Sequence, residues 1–368
     1  MKVFWLFNHP APYKVNFFNE LGKHIELTAL FERDQEGGRN AIFYSKKPEN
    51  FEAVYAHAKP IGDLNSNSKF PVKYLKEHTF DIYVLNGYAQ FTEMRTIRYC
   101  RRKKIPYIFY INGGVIKKES FLKKKLKSHY IKGACAYLCP DEQSKKYLVH
   151  YGVKEENITL YPYSSVYEKE LVKAPLSKEE KLSLRKELGL PEGTLYVSSG
   201  FFIERKNFLQ LIDVYSKLKE PSTLLLIGEG EQKTLLENRI KELGLSNVLL
   251  MDFVEHEKLL RILSCCDAFL FLSKEDIYGH VIEEAFTQAL PVMSSKKVNA
   301  ALHLIEDGMN GKLVDLEDEE GILKAMKEVL NPSFPEKCLE KARLNTLEEG
   351  VEHHLKYFED FLKRIKSN

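Results

Sequence analysis

Two α/β domains, each a doubly wound parallel sheet with helices on both faces, are the architecture this sequence predicts. The prediction rests on length, on short apolar runs alternating with amphipathic stretches, and on a charged break near the middle. A chain of 368 residues exceeds one typical domain and suits two, each able to bury a core. Apolar residues at 44% and charged residues at 29% exclude a disordered chain. The charges nearly cancel, 55 basic against 52 acidic, so no global field would gather nucleic acid and any basic function is local.

In order, residues 1–172 alternate KVFWLF, VNFFNELGKH, ELTALFE, FDIYVLNG, TEMRTIRYCRRKK, PYIFYING, KKKLKSHYIKG, AYLCP and DEQSKKYLVHYG. Short apolar runs separated by stretches long enough for helices read as parallel strands joined by helical crossovers. The segment KAPLSKEEKLSLRKELGLPEG, residues 173–193, is charged and poor in apolar side chains, and reads as a linker. The alternation restarts at 194 with TLYVSSGFF, NFLQLIDVYSKLK, STLLLIGEG, EQKTLLENRIKELG, NVLLMDFV, EKLLRILSCC, AFLFLS, HVIEEAFTQAL, PVMSS and EGILKAMKEVL, a second domain running to 346. Residues 347–368 set Val351, Leu355, Phe358, Phe361 and Leu362 at helical spacing, an amphipathic terminal helix.

Cys100, Cys135, Cys139, Cys265, Cys266 and Cys338 form no C-x-x-C pair and read as reduced core residues. The start, MKVFWLFNHPAP, lacks the features of a secretory leader, and no stretch reaches the roughly 20 apolar residues that span a bilayer. The expectation is a cytoplasmic protein, with attachment to the inner face of a membrane still open.

In open α/β sheets ligands bind outside the carboxyl ends of the strands, so the loops after the second-half strands carry the functional expectation. After TLYVSSG come Arg205 and Lys206, two cations just ahead of a helix and suited to an anion such as a diphosphate. After STLLLI, Gly228 and Gly230 make a turn where a ligand can approach backbone. After AFLFLS, the run Lys274-Glu275-Asp276-Ile277-Tyr278-Gly279-His280-Val281 leads to Glu284. With a helix starting near Gly279, the amides of Gly279, His280 and Val281 would face a phosphate. Glu284 would accept from ribose hydroxyls and Asp276 from hydroxyls of a sugar. Each feature alone has a plainer reading. Asp276 serves as a helix N-cap worth about 1 kcal/mol, while Glu284, His280, Arg205 and Lys206 serve as solvated surface and the glycines as a turn. Their placement after successive strands on one sheet edge favours the ligand site.

This order of motifs resembles the retaining glycosyltransferases of family 4, which have the GT-B architecture and are found in bacterial capsular, exopolysaccharide and cell-wall synthesis. The family pattern is a Glu, seven residues and a second Glu, with a Gly three after the first and an apolar stretch ending in Pro-Val. Here it runs from Asp276 through Gly279 to Glu284 and on through AFTQALPVMSS, with Asp in place of the first Glu. GFFIERKN, LLIGEGEQKTLLE, NVLLMDFVEHEKL and LIEDGMNGKLV extend the likeness through the C-terminal half.

The resemblance implies two Rossmann-like domains facing a cleft, acceptor first and donor second, with the terminal helix crossing back to the N-domain. Its donor site would comprise Arg205, Lys206, Gly228, Gly230, Tyr278, Gly279, His280, Val281 and Glu284. Asp276 and Asn112 are the implied catalytic residues, and His9, Gly113 and Gly114 the acceptor side. Many members carry an Arg where Phe201 stands, so phosphate neutralisation would fall to Arg205 and Lys206. A His or Asp often stands at the place of Asn112, whose amide positions a hydroxyl but makes a poor acid or base. His9 reads more readily as structural or exposed than as catalytic, and base selectivity is expected near Phe253 to His256.

The implied reaction moves a hexose from a nucleotide-diphosphate sugar to a glycan or lipid-linked saccharide hydroxyl with retention, by front-face attack assisted by the departing phosphate. No cofactor is expected and, with no D-x-D triplet in the sequence, no metal. Two other classes compete. A non-catalytic binding partner of the same fold would count Phe201, Asp276 and Asn112 as marks of lost activity. A nicotinamide oxidoreductase fares poorly, because residues 7–12 read FNHPAP and residues 200–205 read GFFIER, neither of them G-x-G-x-x-G.

Residues 116–132 interleave Lys117, Lys118, Lys123, Lys124, Lys125, Lys127 and Lys132 with Phe121, Leu122, Leu126, Tyr130 and Ile131. The pattern fits a solvated helix face or a helix lying on an anionic membrane, where each Lys adds about 1 kcal/mol. The resemblance favours the membrane, because many members act on lipid-linked acceptors at the cytoplasmic leaflet.

Overall fold

The computed structural model describes residues 1–35, 46–61 and 65–366. The chain divides into two compact units, Met1–Ser165 with Leu347–Asn368, and Val166–Thr346.

In the first unit the apolar runs become β1 (Lys2–Phe7), β2 (Glu26–Phe31), β3 (Glu52–Tyr55), β4 (Lys59–Ile61), β5 (Asn65–Asn67), β6 (Ile82–Asn86), β7 (Ile108–Tyr110), β8 (Ala136–Cys139) and β9 (Ile158–Leu160). Among the described residues, seven of them form one sheet in the order β3-β2-β1-β6-β7-β8-β9. All its neighbours run parallel, whereas β4 and β5 form a separate antiparallel ribbon. The crossovers are α1 (Pro12–Leu21), α2 (Phe70–Glu77), α3 (Phe91–Arg102), α4 (Phe121–Ile131) and α5 (Glu142–His150). Val3 through Phe7 are buried without alternation, the mark of a central strand covered on both faces. The ribbon, β3, β9 and α2 were not legible in the hydrophobic pattern because they are short, and the apolar residues of β3 and β9 are only half-buried.

The second unit opens with α6 (Lys178–Leu188) and carries β10 (Thr194–Ser199), α7 (Phe208–Tyr215), β11 (Ser222–Ile227), α8 (Lys233–Glu242), β12 (Val248–Met251) and α9 (His256–Cys265). There follow β13 (Ala268–Phe271), α10 (Val281–Thr287), β14 (Val292–Ser295), α11 (Asn299–Leu304), β15 (Gly311–Val314), α12 (Glu319–Glu328) and α13 (Phe334–Arg343). Its sheet is parallel throughout in the order β12-β11-β10-β13-β14-β15.

The expected linker 173–193 requires correction. The division falls at Ser165 and Val166, and most of 173–193 is α6, packed on α9 within the second unit. Ser177 and Glu180 form a reciprocal capping box at its start, and Gly189 at φ 66 ends it in the left-handed conformation. Its charged residues stand at a packed surface because they are paired. Arg185 is buried and donates from Nε to the Cys265 carbonyl at 2.7 Å and from Nη2 to Asp267 at 2.8 Å.

The terminal helix, α14 (Leu347–Lys366), belongs to the first unit, where it packs on α1. Residues 367–368 of the expected span lie outside the described residues. Val351, Phe358 and Phe361 are buried, and so is His354, whose ring lies 5.9 Å from the Trp5 ring. Of the cysteines, Cys135 is exposed rather than in the core; the other five are buried, and all are free.

Candidate functional site

Strand order explains the site. β10 pairs with β13 in the middle of the second sheet, Tyr196 against Ala268 and Val197 against Phe269, although β11 follows β10 in sequence. The order reverses between these two strands, a switch point where loops diverge and leave room for a ligand. The loops after β10 and β13 are therefore neighbours, and the Lys206 ammonium meets the Asp276 carboxylate across a sequence separation of 70. Arg205 Nη1 lies 3.6 Å from the same Asp276 oxygen. The Lys206 and Asp276 side chains are 9% and 14% exposed, so this is a buried pair rather than surface charge. Burial holds the Lys206 ammonium below the usual lysine range, and the Asp276 charge opposes that shift.

The frame holding these charges is backbone. Lys274 N–H and the Ser273 hydroxyl both donate to the Arg205 carbonyl, at 2.8 and 3.0 Å, and Asn207 donates from Nδ2 to the Leu272 carbonyl at 3.0 Å. Asn207 sits at φ 61, a conformation Asn tolerates better than most side chains.

Asp276 is not the N-cap of the following helix, as its plainer reading had it. That position is His280, and α10 begins at Val281 rather than near Gly279. Asp276 instead forms a parallel bridge with Val298 after β14, its N–H donating to Lys297 O at 3.3 Å. Gly279 has φ +108, and a Cβ there would lie 2.7 Å from Val298 Cγ1. The first turn is closed by Ile282 N–H on the Gly279 carbonyl and Glu284 N–H on the His280 carbonyl, both at 3.1 Å.

Other expected donor residues have structural tasks. A Cβ on Gly228 would sit 2.0 Å from the Gly200 carbonyl oxygen, and one on Gly230 would sit 2.6 Å from that of Phe202. Phe202 N–H donates to Glu229 O at 2.7 Å, so the two glycines let the loop after β11 lie against the loop after β10. Phe201, beside them, is 37% exposed. Tyr278 is buried, its hydroxyl donating to Glu283 Oε1 at 3.1 Å. Asn345 donates to the same oxygen at 2.9 Å, and His280 Nδ1 lies 2.8 Å from Glu283 Oε2. Glu283 is thus a buried hub that the sequence pattern did not single out. The signal was a second Glu on the apolar side of the short helix VIEEAFT.

Glu284 is 15% exposed; burial raises its carboxyl above the usual range, while His256 and His280 pull it back. His256, expected near base selection, has its Nδ1 3.6 Å from Glu284 Oε1 and its Nε2 3.2 Å from Glu170 Oε1. Glu170 was not anticipated, and nothing local in its sequence marks it. Phe253, in the same loop as His256, is 55% exposed.

In the first unit, His9 is buried, which removes the exposed reading. Asn112 follows β7, and its Oδ1 is buried without a hydrogen-bond partner among the described residues. Gly113 has φ +151, and a Cβ on Gly114 would lie 2.6 Å from Tyr147 Cγ. On α4, Phe121 and Leu122 are 79% and 77% exposed, whereas Tyr130 and Ile131 are buried. Lys127 departs from the lysine-rich face, pairing with Glu119 at 2.6 Å. Among the described residues no helix is long and apolar enough to cross a membrane.

Residues 180–345 match the family described as Glycosyl transferases group 1. The lipopolysaccharide core biosynthesis glycosyltransferase LpsE of Rhizobium meliloti is 32% identical over 141 residues, 38% of this chain and 40% of that one. The N-acetylgalactosamine-N,N'-diacetylbacillosaminyl-diphospho-undecaprenol 4-alpha-N-acetylgalactosaminyltransferase of Campylobacter jejuni is 30% identical over 135 residues, 36% of each chain. The chain spans about two fifths of the length of these curated relatives. The crystal structure of Anabaena Alr3699/HepE in complex with UDP and glucose superposes with a TM-score of 0.72 over 97% of this chain and 100% of that one. At 16% identity that likeness is one of fold, the two Rossmann-like domains of the GT-B class.

Proposed function

We propose that the chain is a retaining glycosyltransferase that moves a hexose from a nucleotide-diphosphate sugar to a hydroxyl of a glycan or lipid-linked saccharide, without a metal. The observation that carries the proposal is the meeting of Arg205, Lys206 and Asp276 at the switch point of a segment that matches the group 1 family, with Glu284 close enough to act on the Lys206 charge. Arg205 and Lys206 both face Asp276 there, and two clustered cations suit a diphosphate. As the donor phosphates take over Lys206 and Arg205, Asp276 is released to accept from hydroxyls of the transferred sugar. The cations then stabilise the charge that grows on the leaving phosphate, and fixed charges and dipoles of this kind are the strongest means a site has of lowering a barrier. The departing phosphate takes the proton of the acceptor hydroxyl as attack occurs on the same face. Glu284 accepts from the ribose hydroxyls, and Asn112, with His9, Gly113 and Gly114 on the acceptor side, positions the incoming hydroxyl.

The Anabaena neighbour was crystallised with UDP and glucose, which makes UDP the first donor to test. The Campylobacter relative is named for a diphospho-undecaprenol substrate, and a lipid-linked acceptor suits the exposed Phe121 and Leu122 among the lysines of α4. We place the protein in the cytoplasm, with that helix resting on the anionic inner face of the membrane.

The test is a thermal-shift screen with UDP, GDP, ADP and their sugars, since a ligand of the folded state raises the midpoint by mass action. It is followed by donor turnover by wild type, Glu284→Ala and Lys206→Ala. A shift and turnover in wild type that both variants lose are expected. No shift and no turnover with any donor would leave a non-catalytic member of the fold.

A further inference from the structure

Glu284 does not stand alone at the head of α10. His256, the first residue of α9, lies between Glu284 and Glu170, one ring nitrogen toward each carboxylate. Glu170 is itself fixed. Its Oε2 accepts from the Tyr167 N–H at 2.8 Å, its carbonyl accepts from Gln288 Nε2 at 2.8 Å, and Val172 N–H donates to Thr287 O at 3.0 Å. The segment that carries Glu170 is thereby tied to the C-terminal end of the helix that carries Glu284. The Glu170 and Glu284 side chains are 19% and 15% exposed, far less than surface carboxylates.

We propose that His256 is a positioning residue, held as an imidazolium between Glu170 and Glu284, and that it keeps the Glu284 carboxylate oriented and ionised to receive the ribose hydroxyls of the donor. The inference rests on the proposed function for the role of Glu284. The assignment to His256 and Glu170 is additional.

The chemistry selects the protonation state. An imidazolium donates from both nitrogens, whereas a neutral ring sets a lone pair against one of the two carboxylates. The N-terminus of α9 opposes a cation there, by about twofold to fivefold in the equilibrium. Two carboxylates within 4 Å, each mostly shielded from water, outweigh it. The other charged groups are Glu255, Glu257, Lys258 and Arg261 on or beside α9, Glu168 and Lys169 beside Glu170, and His280, Glu283 and Lys206 near Glu284. The four acids among them are matched by four cations, so the state of the ring is set by the two carboxylates that flank it. Burial by itself would push Glu284 toward its neutral form, which donates a hydrogen and accepts poorly. His256 is the strongest influence against that.

Hydroxyl discrimination tests the proposal, because a merely structural role would not move it. The probe is whichever of UDP, GDP and ADP binds wild type most tightly, titrated calorimetrically beside its 2′-deoxy and 3′-deoxy analogues. A hydrogen bond to a charged acceptor should make wild type prefer the full ribose by about tenfold or more. Glu284→Ala should bind all three within about twofold of one another, and His256→Ala should fall to within about threefold. Glu170→Gln keeps the shape of the turn and removes only its charge, so it should shift the ratio the same way even if His256→Ala folds poorly. Wild-type discrimination in His256→Ala or Glu170→Gln, with Glu284→Ala losing it, overturns the positioning role and leaves the ribose role of Glu284 intact. Wild-type discrimination in Glu284→Ala, or no binding of any diphosphate, overturns the reading of Glu284 on which the inference rests.

Discussion

Gly279→Ala bears on the loop that carries Asp276, and its effect has two parts. The backbone part comes from φ +108, which side chains other than glycine rarely adopt, and such strain costs about 1–3 kcal/mol. The packing part comes from the new Cβ at 2.7 Å from Val298 Cγ1, where ordinary contacts lie at 3.4–4 Å. Val298 is fully buried and cannot swing into solvent, so one side must move by about 0.7 Å, an overpacking cost of about 1–3 kcal/mol. Together they predict about 2–6 kcal/mol. For a unit of the size of Val166–Thr346, that lowers Tm by roughly 4–24 °C. If the loop yields instead, the bridge between Asp276 and Val298 opens and the nucleoside diphosphate Kd rises. Calorimetric melting and UDP titration read both outcomes. Adding Val298→Ala should recover the packing part but not the backbone part, so the double variant is milder than the sum of its singles. A Gly279→Ala protein that melts within about 1 °C of wild type and binds UDP equally well would refute the reasoning; strict additivity would refute its packing half.

The neutral ring of His354 makes the first unit acid-sensitive. Burial, with a smaller contribution from Lys14, takes it from 6.5 down to about 3. The unfolded chain therefore binds a proton that the folded one refuses, and this contribution is full above pH 6.5 and fades as pH falls toward 3. It reaches about 4–5 kcal/mol in all and about 2 kcal/mol between pH 6.5 and 5. His354→Phe should flatten the Tm-versus-pH profile over that range, and a parallel profile contradicts the assignment. Lys206→Met strips Asp276 of its nearer cation and leaves Arg205 at 3.6 Å. Breaking a buried pair costs about 3–5 kcal/mol, reduced here by the remaining Arg, so a loss of about 1–3 kcal/mol and a tenfold or greater rise in diphosphate Kd are expected from melting and titration. Phe121→Asp with Leu122→Asp should cut sedimentation with anionic vesicles by about tenfold or more while leaving UDP binding unchanged. Equal sedimentation would remove α4 from the membrane reading. Arg185→Ala should destabilise the second unit by about 3–5 kcal/mol, since it strips Asp267 of its guanidinium and leaves it Lys181 at 3.3 Å and the Leu195 N–H at 2.8 Å; a change under 1 kcal/mol in denaturant titration would mean α6 is held by other contacts.

The sequence by itself determined the fold class, because the apolar runs of central strands such as Val3–Phe7 and the amphipathic spacing of α14 are local patterns that survive in one dimension. It also located the loops after β10, β11 and β13 that bear the candidate site. It misread 173–193, since Leu182, Leu184 and Leu188 of α6 are only half-buried and the burial of Arg185 depends on Asp267, far along the chain. What the loops do to one another belonged to the tertiary structure. Strand order sets β10 beside β13, and that alone turns Lys206 and Asp276 from two separate charges into a buried pair. The same holds for Glu283 among Tyr278, His280 and Asn345, and for His256 between Glu170 and Glu284. Electrostatic and hydrogen-bond energies fall off over a few ångströms, and distance in space between residues far apart in sequence is the quantity that residue order does not contain.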